Sequence, residues 1–195
     1  MASPLYDGLS VELSKRLDDA VAAASSSGDV WSTTQRDIPL NFACKTLMTK
    51  YGAEEDTDFF RSLIESEGQA MTSNEIALSS YTGGVFKILS ARNGTTVVKP
   101  LPQDWVDDIA SIESMPWYNA TTTNQYYYEE SGNLVNVGGG ATDTITLRYV
   151  KNWSDLTASN ATDIPVPSQY FAEILDVAVK YALQEMGVLA KASVG

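Results

Sequence analysis

Residues 85–101, with the sequence VFKILSARNGTTVVKPL, contain the strongest local structural signal in the chain. The pair Asn93-Gly94 separates two runs that are rich in apolar residues, and this dipeptide readily adopts the positive φ angles of a tight hairpin turn. Two such runs joined in this way predict a β-hairpin. The centre of the chain is therefore predicted to form antiparallel sheet.

Further strand signals follow the hairpin. Residues 125–137, QYYYEESGNLVNV, predict a second strand pair that turns at Ser131-Gly132-Asn133. Residues 142–150, TDTITLRYV, alternate cleanly, which places Ile145, Leu147 and Tyr149 on one face of a strand and Thr144, Thr146 and Arg148 on the other. Between these segments, residues 102–112 predict a short helix. The middle of the chain is thus a run of strands with one inserted helix.

Two helices are predicted before the strands. Apolar residues recur at three- and four-residue spacing over 9–24 and again over 38–51. Asp37 is expected to cap the second helix with Pro39 in its first turn, and Gly52 is expected to end it. The short connection between the two helices predicts a helical hairpin.

One helix is predicted after the strands. Residues 163–167, DIPVP, are expected to be extended, because each proline fixes its own φ and disfavours helix in the residue before it. A helix over 168–186 follows, capped by Ser168 and ended by Gly187. Its apolar stripe is expected to pack on the two N-terminal helices.

The predicted fold class is α+β, with an N-terminal helical hairpin packed with a C-terminal helix, plus a central antiparallel β meander or barrel-like sheet with a short inserted helix. Four regions are expected: N-terminal helices in 1–55, the β-rich region in 56–152, the Pro-rich lead and closing helix in 153–187, and a C-terminal tail in 188–195.

Composition disfavours several functional classes. The 195 residues have a net charge of −12 and a pI near 4.3, so the surface repels phosphates and sequence-independent DNA binding is not expected. The chain has no histidine and a single cysteine, Cys44, which we interpret as a buried apolar residue. No segment approaches the roughly 20 apolar residues of a membrane helix, and no membrane partner is expected. We predict a non-enzymatic protein without metal or cofactor.

Two motifs remain open to more than one interpretation. Gly138-Gly139-Gly140 is interpreted as a turn between strands, because no Lys-Ser/Thr and no helix follow it as in a phosphate loop. Tyr126, Tyr127 and Tyr128 alternate faces on a predicted strand. One face of this candidate aromatic surface would stack on a sugar or a base, or the rings would pack in the core or between subunits.

The order of features resembles the head–tail connector proteins of tailed bacteriophages, also called adaptors or head-completion proteins. The similarity spans about residues 35–186 and rests on order and spacing. The segments that resemble the family are RDIPLNFACKTLMTKYG (36–52), NEIALSSYTGGVFKILSA (74–91), VVKPLPQDWVDDI (97–109), MPWYNA (115–120), TDTITLRYVKNWSDL (142–156) and DIPVPSQYFAEILDVAVKYAL (163–183).

This resemblance implies a virion structural protein. Such proteins usually form a ring, commonly of twelve copies, at the portal vertex, where the ring extends the DNA channel and docks the tail. It further implies assembly in the host bacterial cytoplasm, localisation at the head–tail interface, and portal, tail or nozzle proteins as partners. DNA would pass through the lumen without sequence-specific binding.

The C-terminal tail is the expected contact with the portal or a neighbouring subunit. Its candidate residues are Val188, Leu189, Lys191 and Val194. Two other functions stay open. The chain would instead be another tail completion or stopper ring protein, which shares the strands and differs in its docking partner. It would otherwise be a carbohydrate-binding β module, which rests on the tyrosines at 126–128 and on tryptophans.

Overall fold

The computed structural model describes residues 4–24, 33–54, 58–101, 106, 120–156 and 166–185. It shows an α+β protein, as the sequence predicts. Contacts divide the chain into a helical unit, formed by residues 1–62 and 153–195, and a β unit, formed by residues 63–152.

Three α-helices form the described part of the helical unit: α1 (Pro4–Ala24), α2 (Thr33–Glu54) and α3 (Phe171–Glu185). The apolar stripes predicted from the sequence lie at their contacts. The residues buried there include Leu9, Leu13 and Leu17 of α1, Leu40, Ala43, Leu47 and Met48 of α2, and Ile174, Leu175, Ala178 and Ala182 of α3. The closing helix therefore packs on both N-terminal helices, as predicted.

Helices α2 and α3 run antiparallel. The ring of Phe42, early in α2, stacks on that of Tyr181, late in α3, with centroids 4.1 Å apart. At the other end, Lys50 Nζ lies 2.7 Å from Glu173 Oε1. Side-chain pairs thus fix the register of the two helices at both ends.

The caps predicted at Asp37, Gly52 and Ser168 were wrong, and the end predicted at Gly187 lies outside the described residues. Helix α2 begins at Thr33, so Asp37 and Pro39 lie inside it and Gly52 does not end it. Pro39 removes one helical hydrogen bond because it has no N–H, but burial of the apolar stripe outweighs that loss. Ser168 does not cap α3, since it begins a 3-10 turn over Ser168–Tyr170 whose cap residue is Pro167.

Seven strands form the sheet of the β unit: β1 (Ile64–Ala70), β2 (Glu75–Ala77), β3 (Val85–Asn93), β4 (Thr96–Pro100), β5 (Gln125–Glu130), β6 (Asn133–Val137) and β7 (Thr144–Lys151). Their order is β1-β7-β3-β4-β5-β6-β2. All pairs are antiparallel except β4 with β5, in which Val98 aligns with Gln125. That parallel pair requires a long crossover, and the predicted inserted helix within it lies almost entirely outside the described residues.

The sheet is nearly closed into a barrel. Its two edge strands, β1 and β2, are consecutive in the chain and meet in a tight turn where Thr72 and Glu75 exchange backbone hydrogen bonds of 2.9 and 3.1 Å. Apolar side chains fill the interior, as expected for a small barrel. The fully buried ones include Tyr81, Leu134, Ile145, Leu147 and Tyr149.

Both predicted hairpins are present; the first turn lies one residue later than predicted, and the second is one residue shorter. Asn93 pairs with Thr96, so the first turn consists of Gly94 and Thr95, and Gly94 has φ +57°. A glycine at the first turn position is typical of a type II′ turn. In the second hairpin Glu130 pairs with Asn133, and Ser131 and Gly132 both have positive φ.

Candidate functional site

The tyrosines at 126–128 lie on β5 and alternate faces, as predicted. Tyr127 points into the barrel core and is 8% exposed. Tyr126 points to the outer face and is nevertheless 7% exposed, with Lys99 Nζ 5.8 Å from its ring centroid. Only Tyr128 is half-exposed. The three rings therefore offer little free surface for stacking on a sugar or a base, and the predicted contact surface stays a prediction.

The four candidate tail residues, Val188, Leu189, Lys191 and Val194, lie outside the described residues. Their predicted contact with a portal therefore also stays a prediction. The acidic residues Asp104, Asp107 and Asp108 of the central segment lie outside the described part as well. The described candidate residues lie in the helical unit and in the barrel.

A network of amides and one carboxylate lies at one end of the barrel. Asn93 Nδ2, at the end of β3, donates to Gln125 Oε1 at 3.0 Å and to Asp143 Oδ2 at 2.6 Å. Asn136 Nδ2 also donates to Gln125 Oε1, at 3.3 Å. Asp143 Oδ2 in turn accepts from the backbone N–H of Gly140 at 2.9 Å. The network links β3, β5, β6 and the connection that precedes β7.

The charges and hydrogen bonds of this amide network fit a structural role. Hydrogen bonds from Asn93 and from the Gly140 backbone lower the pKa of the Asp143 carboxyl, because they stabilise its charged form. Gln125 and Asn136 are each 3% exposed, and Asn136 Oδ1 has no hydrogen-bond partner. Such an acceptor suits a bound water. Amides and one ionised carboxylate provide no nucleophile and no general base poised near neutral pH.

Side chains also link strand β1 to the segment that follows strand β2. Glu67 Oε2, on β1, accepts from the backbone N–H of Thr82 at 2.8 Å and from Tyr149 Oη at 3.2 Å. Gln69 Nε2 donates to the carbonyl of Ser80 at 3.3 Å. The Thr82 hydrogen bond is the main reason for a lowered pKa of Glu67. Polar side chains of β1 thus bind the segment between β2 and β3, across the open edges of the sheet.

An asparagine anchors the chain that leaves the barrel onto the helical unit. Asn41 Oδ1, on α2, accepts from Trp153 Nε1 at 3.0 Å and from the Leu156 N–H at 2.8 Å. Asn41 Nδ2 donates to the Leu156 carbonyl at 2.8 Å. Beside it, Lys45 Nζ lies 2.6 Å from Asp155 Oδ1. Segment 153–156 is therefore held on α2 by both backbone and side-chain contacts.

Cys44 is fully buried on the inner face of α2, as the sequence indicates. Burial raises the pKa of its thiol to about 12, so the reactive thiolate is scarce at neutral pH. Within the ranges that the structure describes, no group of three or more His, Cys, Asp or Glu residues could hold a metal ion. No described helix has the length and apolar content to cross a membrane.

The buried amides Gln125 and Asn136 were missed in the sequence, as was the closing role of Glu67. Polar residues inside strand runs were the available signal, because buried amides must find partners.

Comparison with known proteins adds no identification: no protein-family model matches the chain, and no curated protein matches it. The fold defines the class of protein: an α+β protein with a nearly closed seven-stranded barrel and, among its described residues, a unit of three α-helices.

Proposed function

We propose that this chain is a non-enzymatic virion structural protein, an adaptor that forms a ring on the portal vertex, extends the DNA channel and docks the tail. The observation that supports this most is the agreement in order between sequence and fold. The segments that resemble head–tail connectors fall on α2, β2–β3, β4, β7 and α3. The resemblance implies helices for the first and last of these segments and strands for the others, while its short helix after β4 and its segment 115–120 lie almost entirely outside the described residues.

The chemistry of the described residues is compatible with a contact role. Its polar networks fasten connecting segments to strands or to a helix of the same unit: Asp143 to Asn93, Thr82 to Glu67, and Leu156 to Asn41. Each group serves as a hydrogen-bond partner within the fold.

The tail residues Val188, Leu189, Lys191 and Val194 are proposed as the portal contact. The first of them, Val188, is three residues beyond the end of α3 in the sequence, and three of the four are apolar. Replacing Val188 and Leu189 by serine should leave the far-ultraviolet circular dichroism spectrum unchanged and weaken attachment to the portal. Attachment that equals that of the wild type would refute this part of the proposal.

Electron microscopy of the protein mixed with the portal protein of the same phage tests the function directly. We expect a symmetric ring stacked on the narrow end of the portal, and the images would count the copies. An absence of association at every salt and protein concentration would favour a completion or stopper protein that docks further along the tail. No observation among the described residues favours the carbohydrate module, since Tyr126 and Tyr127 are buried.

A further inference from the structure

The outer face of the barrel presents a basic strip in an acidic protein. The strip consists of Arg92 on β3, Lys99 on β4 and Arg148 on β7, three adjacent strands. Arg148 alternates with the buried Leu147 and Tyr149, and Arg92 follows the buried Ala91, so both guanidinium groups point away from the core. All three residues are exposed.

The strand register brings the two arginines of the strip close to each other. Arg148 aligns with Ser90, two residues before Arg92 on the neighbouring strand. Strand spacing and rise then place the two arginine Cα atoms about 8 Å apart. Their aligned neighbours on the same face are uncharged: Ser66, Ser90, Thr146 and Val97. No carboxylate on the aligned positions neutralises the strip.

The two arginines are available for an external partner. Among the described residues, neither the Arg92 nor the Arg148 guanidinium forms a hydrogen bond or an ion pair. Lys99 is held only loosely, with Nζ 3.4 Å from Asn124 Oδ1 and 5.8 Å from the Tyr126 ring centroid. In a chain with 25 acidic and 13 basic residues, two exposed unpaired arginines on one face are unexpected.

A pair of carboxylates, the acidic edge, lies on the outer face of strands β5 and β2, which flank β6. It consists of Glu130, the last residue of β5, and Glu75 on β2, which align with Asn133 and Val135 on the outward side of β6. Both are exposed, and Asn133 Nδ2 donates to Glu75 Oε2 at 3.3 Å. On the neighbouring strand β4, Lys99 aligns with Tyr126, four residues before Glu130. Four residues of a strand span about 13 Å, so the edge is too far from the strip for the two to pair within one copy.

We propose that the basic strip of one copy binds the acidic edge of the next copy. The identification of a second copy as the partner rests on the proposed ring function. Two different complementary patches on one molecule form a head-to-tail contact, and head-to-tail contacts close into rings when the rotation permits. The two carboxylates of the edge match the two unpaired arginines of the strip in number, and charge pairs of this kind set register and partner choice.

A nucleic acid is the less favoured occupant of the strip. Three cations are fewer than the roughly six to ten phosphate contacts that give a protein strong salt-dependent DNA binding. The net charge of −12 opposes the approach of a polyanion. At physiological salt the screening length is about 8 Å, so the discrete carboxylates of another copy can pair locally despite the like net charge.

Charge-swapped variants test the contact. The strip variant is Arg92→Glu with Arg148→Glu, and the edge variant is Glu75→Lys with Glu130→Lys. Each alone places like charges in contact, and we expect self-association about tenfold or more weaker than that of the wild type, by sedimentation velocity at low ionic strength and by native mass spectrometry on the portal. Mixed in equal amounts, the two variants restore both contacts in alternation, so association should return.

The matched control is Lys15→Glu with Lys180→Glu, which reverses the same number of charges at exposed positions of the helical unit. It should associate like the wild type. Circular dichroism checks that all variants fold. Wild-type-like association of both single-patch variants, failure of the mixture to restore it, or a wild type that stays monomeric both alone and on the portal would overturn the proposal.

The two proposals fail separately. If a ring forms on the portal and neither variant disturbs it, the strip–edge contact is wrong and the adaptor function stands. If the mixture restores association but no variant or wild type binds a portal, the contact stands and the adaptor function falls. Binding of a labelled DNA duplex that is lost in the strip variant, with self-association unchanged, would make the strip a phosphate surface and refute the proposal.

Discussion

Buried amides fix the connections at one end of the barrel. Gln125 accepts from both Asn93 and Asn136, and it donates through Nε2 to the Thr122 carbonyl at 2.9 Å. Leaving a buried donor or acceptor without a partner costs about 1–3 kcal/mol. Glycine is required beside this network for lack of space: a Cβ on Gly139 would lie 2.1 Å from Asn136 Nδ2 and 3.0 Å from Gln125 Oε1.

Gly139→Ala is therefore expected to destabilise the protein by about 1–3 kcal/mol, the usual cost of overpacking, because Asn136 is buried and cannot move without breaking its hydrogen bond. Chemical denaturation followed by circular dichroism measures the change in unfolding free energy. Gly8→Ala is the control, since nothing lies within 4 Å of its Cβ position and alanine favours helix α1. Equal unfolding free energies of the two variants would show that the buried amides accommodate the added methyl group without cost.

At the scale of secondary-structure elements, one carboxylate on α3 accepts two hydrogen bonds from α2, in addition to the apolar contacts between the two helices. Glu173 accepts hydrogen bonds from Lys50 Nζ and from Tyr51 Oη. The bonds from Lys50 and Tyr51 lower the pKa of Glu173, and the bond to Glu173 is the main reason that the pKa of Tyr51 rises to about 12. The ring of Tyr51 also stacks on Phe59, with centroids 4.7 Å apart.

The lowered pKa of Glu173 predicts a pH dependence of stability. Its folded pKa lies below its ordinary value of 4.5, so its contribution is fully present above that value and is lost as the pH falls through the folded pKa. Between about pH 5 and pH 3, the wild type should therefore lose more unfolding free energy than Glu173→Gln, whose side chain does not titrate. Urea denaturation across this range measures both slopes, and identical slopes would contradict the assignment.

Sequence periodicity predicted some elements and missed others. The stripes of α1, α2 and α3 and the alternation in β7 were correct, because each has one apolar face. Strand β1, with the sequence IESEGQA, was missed because Glu65, Glu67 and Gln69 occupy its inward-facing positions. Some of those side chains meet partners that only the near closure of the sheet provides, such as the backbone N–H of Thr82, which follows β2 and lies 2.8 Å from Glu67 Oε2.

For the molecule as a whole, the single thiol reports on the opening of the helical unit. Cys44 has no exposed surface and a pKa raised to about 12 by burial. We expect the native protein to react with a thiol reagent at least about a hundredfold more slowly than the denatured protein, since reaction requires opening of the packed helices. Labelling followed by mass spectrometry, over a series of urea concentrations, measures the rate.

The control for this labelling is a Cys44→Ala, Thr46→Cys variant, which places the thiol at an exposed position of the same helix. That variant should react rapidly without denaturant. Rapid, complete labelling of native Cys44 would show that the helical unit opens readily, and the packing of α1, α2 and α3 would then be marginal.

The sequence by itself determined the fold class, the helical stripes and the two hairpins, because these depend on local turn chemistry and on the period of apolar residues. Only the tertiary structure decided where the polar residues go. Near closure of the sheet turns the Glu67 side chain towards Thr82 and brings Asn93, Gln125 and Asp143 together from distant parts of the chain. Strand order likewise sets Arg92 beside Arg148, 56 residues apart in sequence, because antiparallel pairing does not depend on separation along the chain.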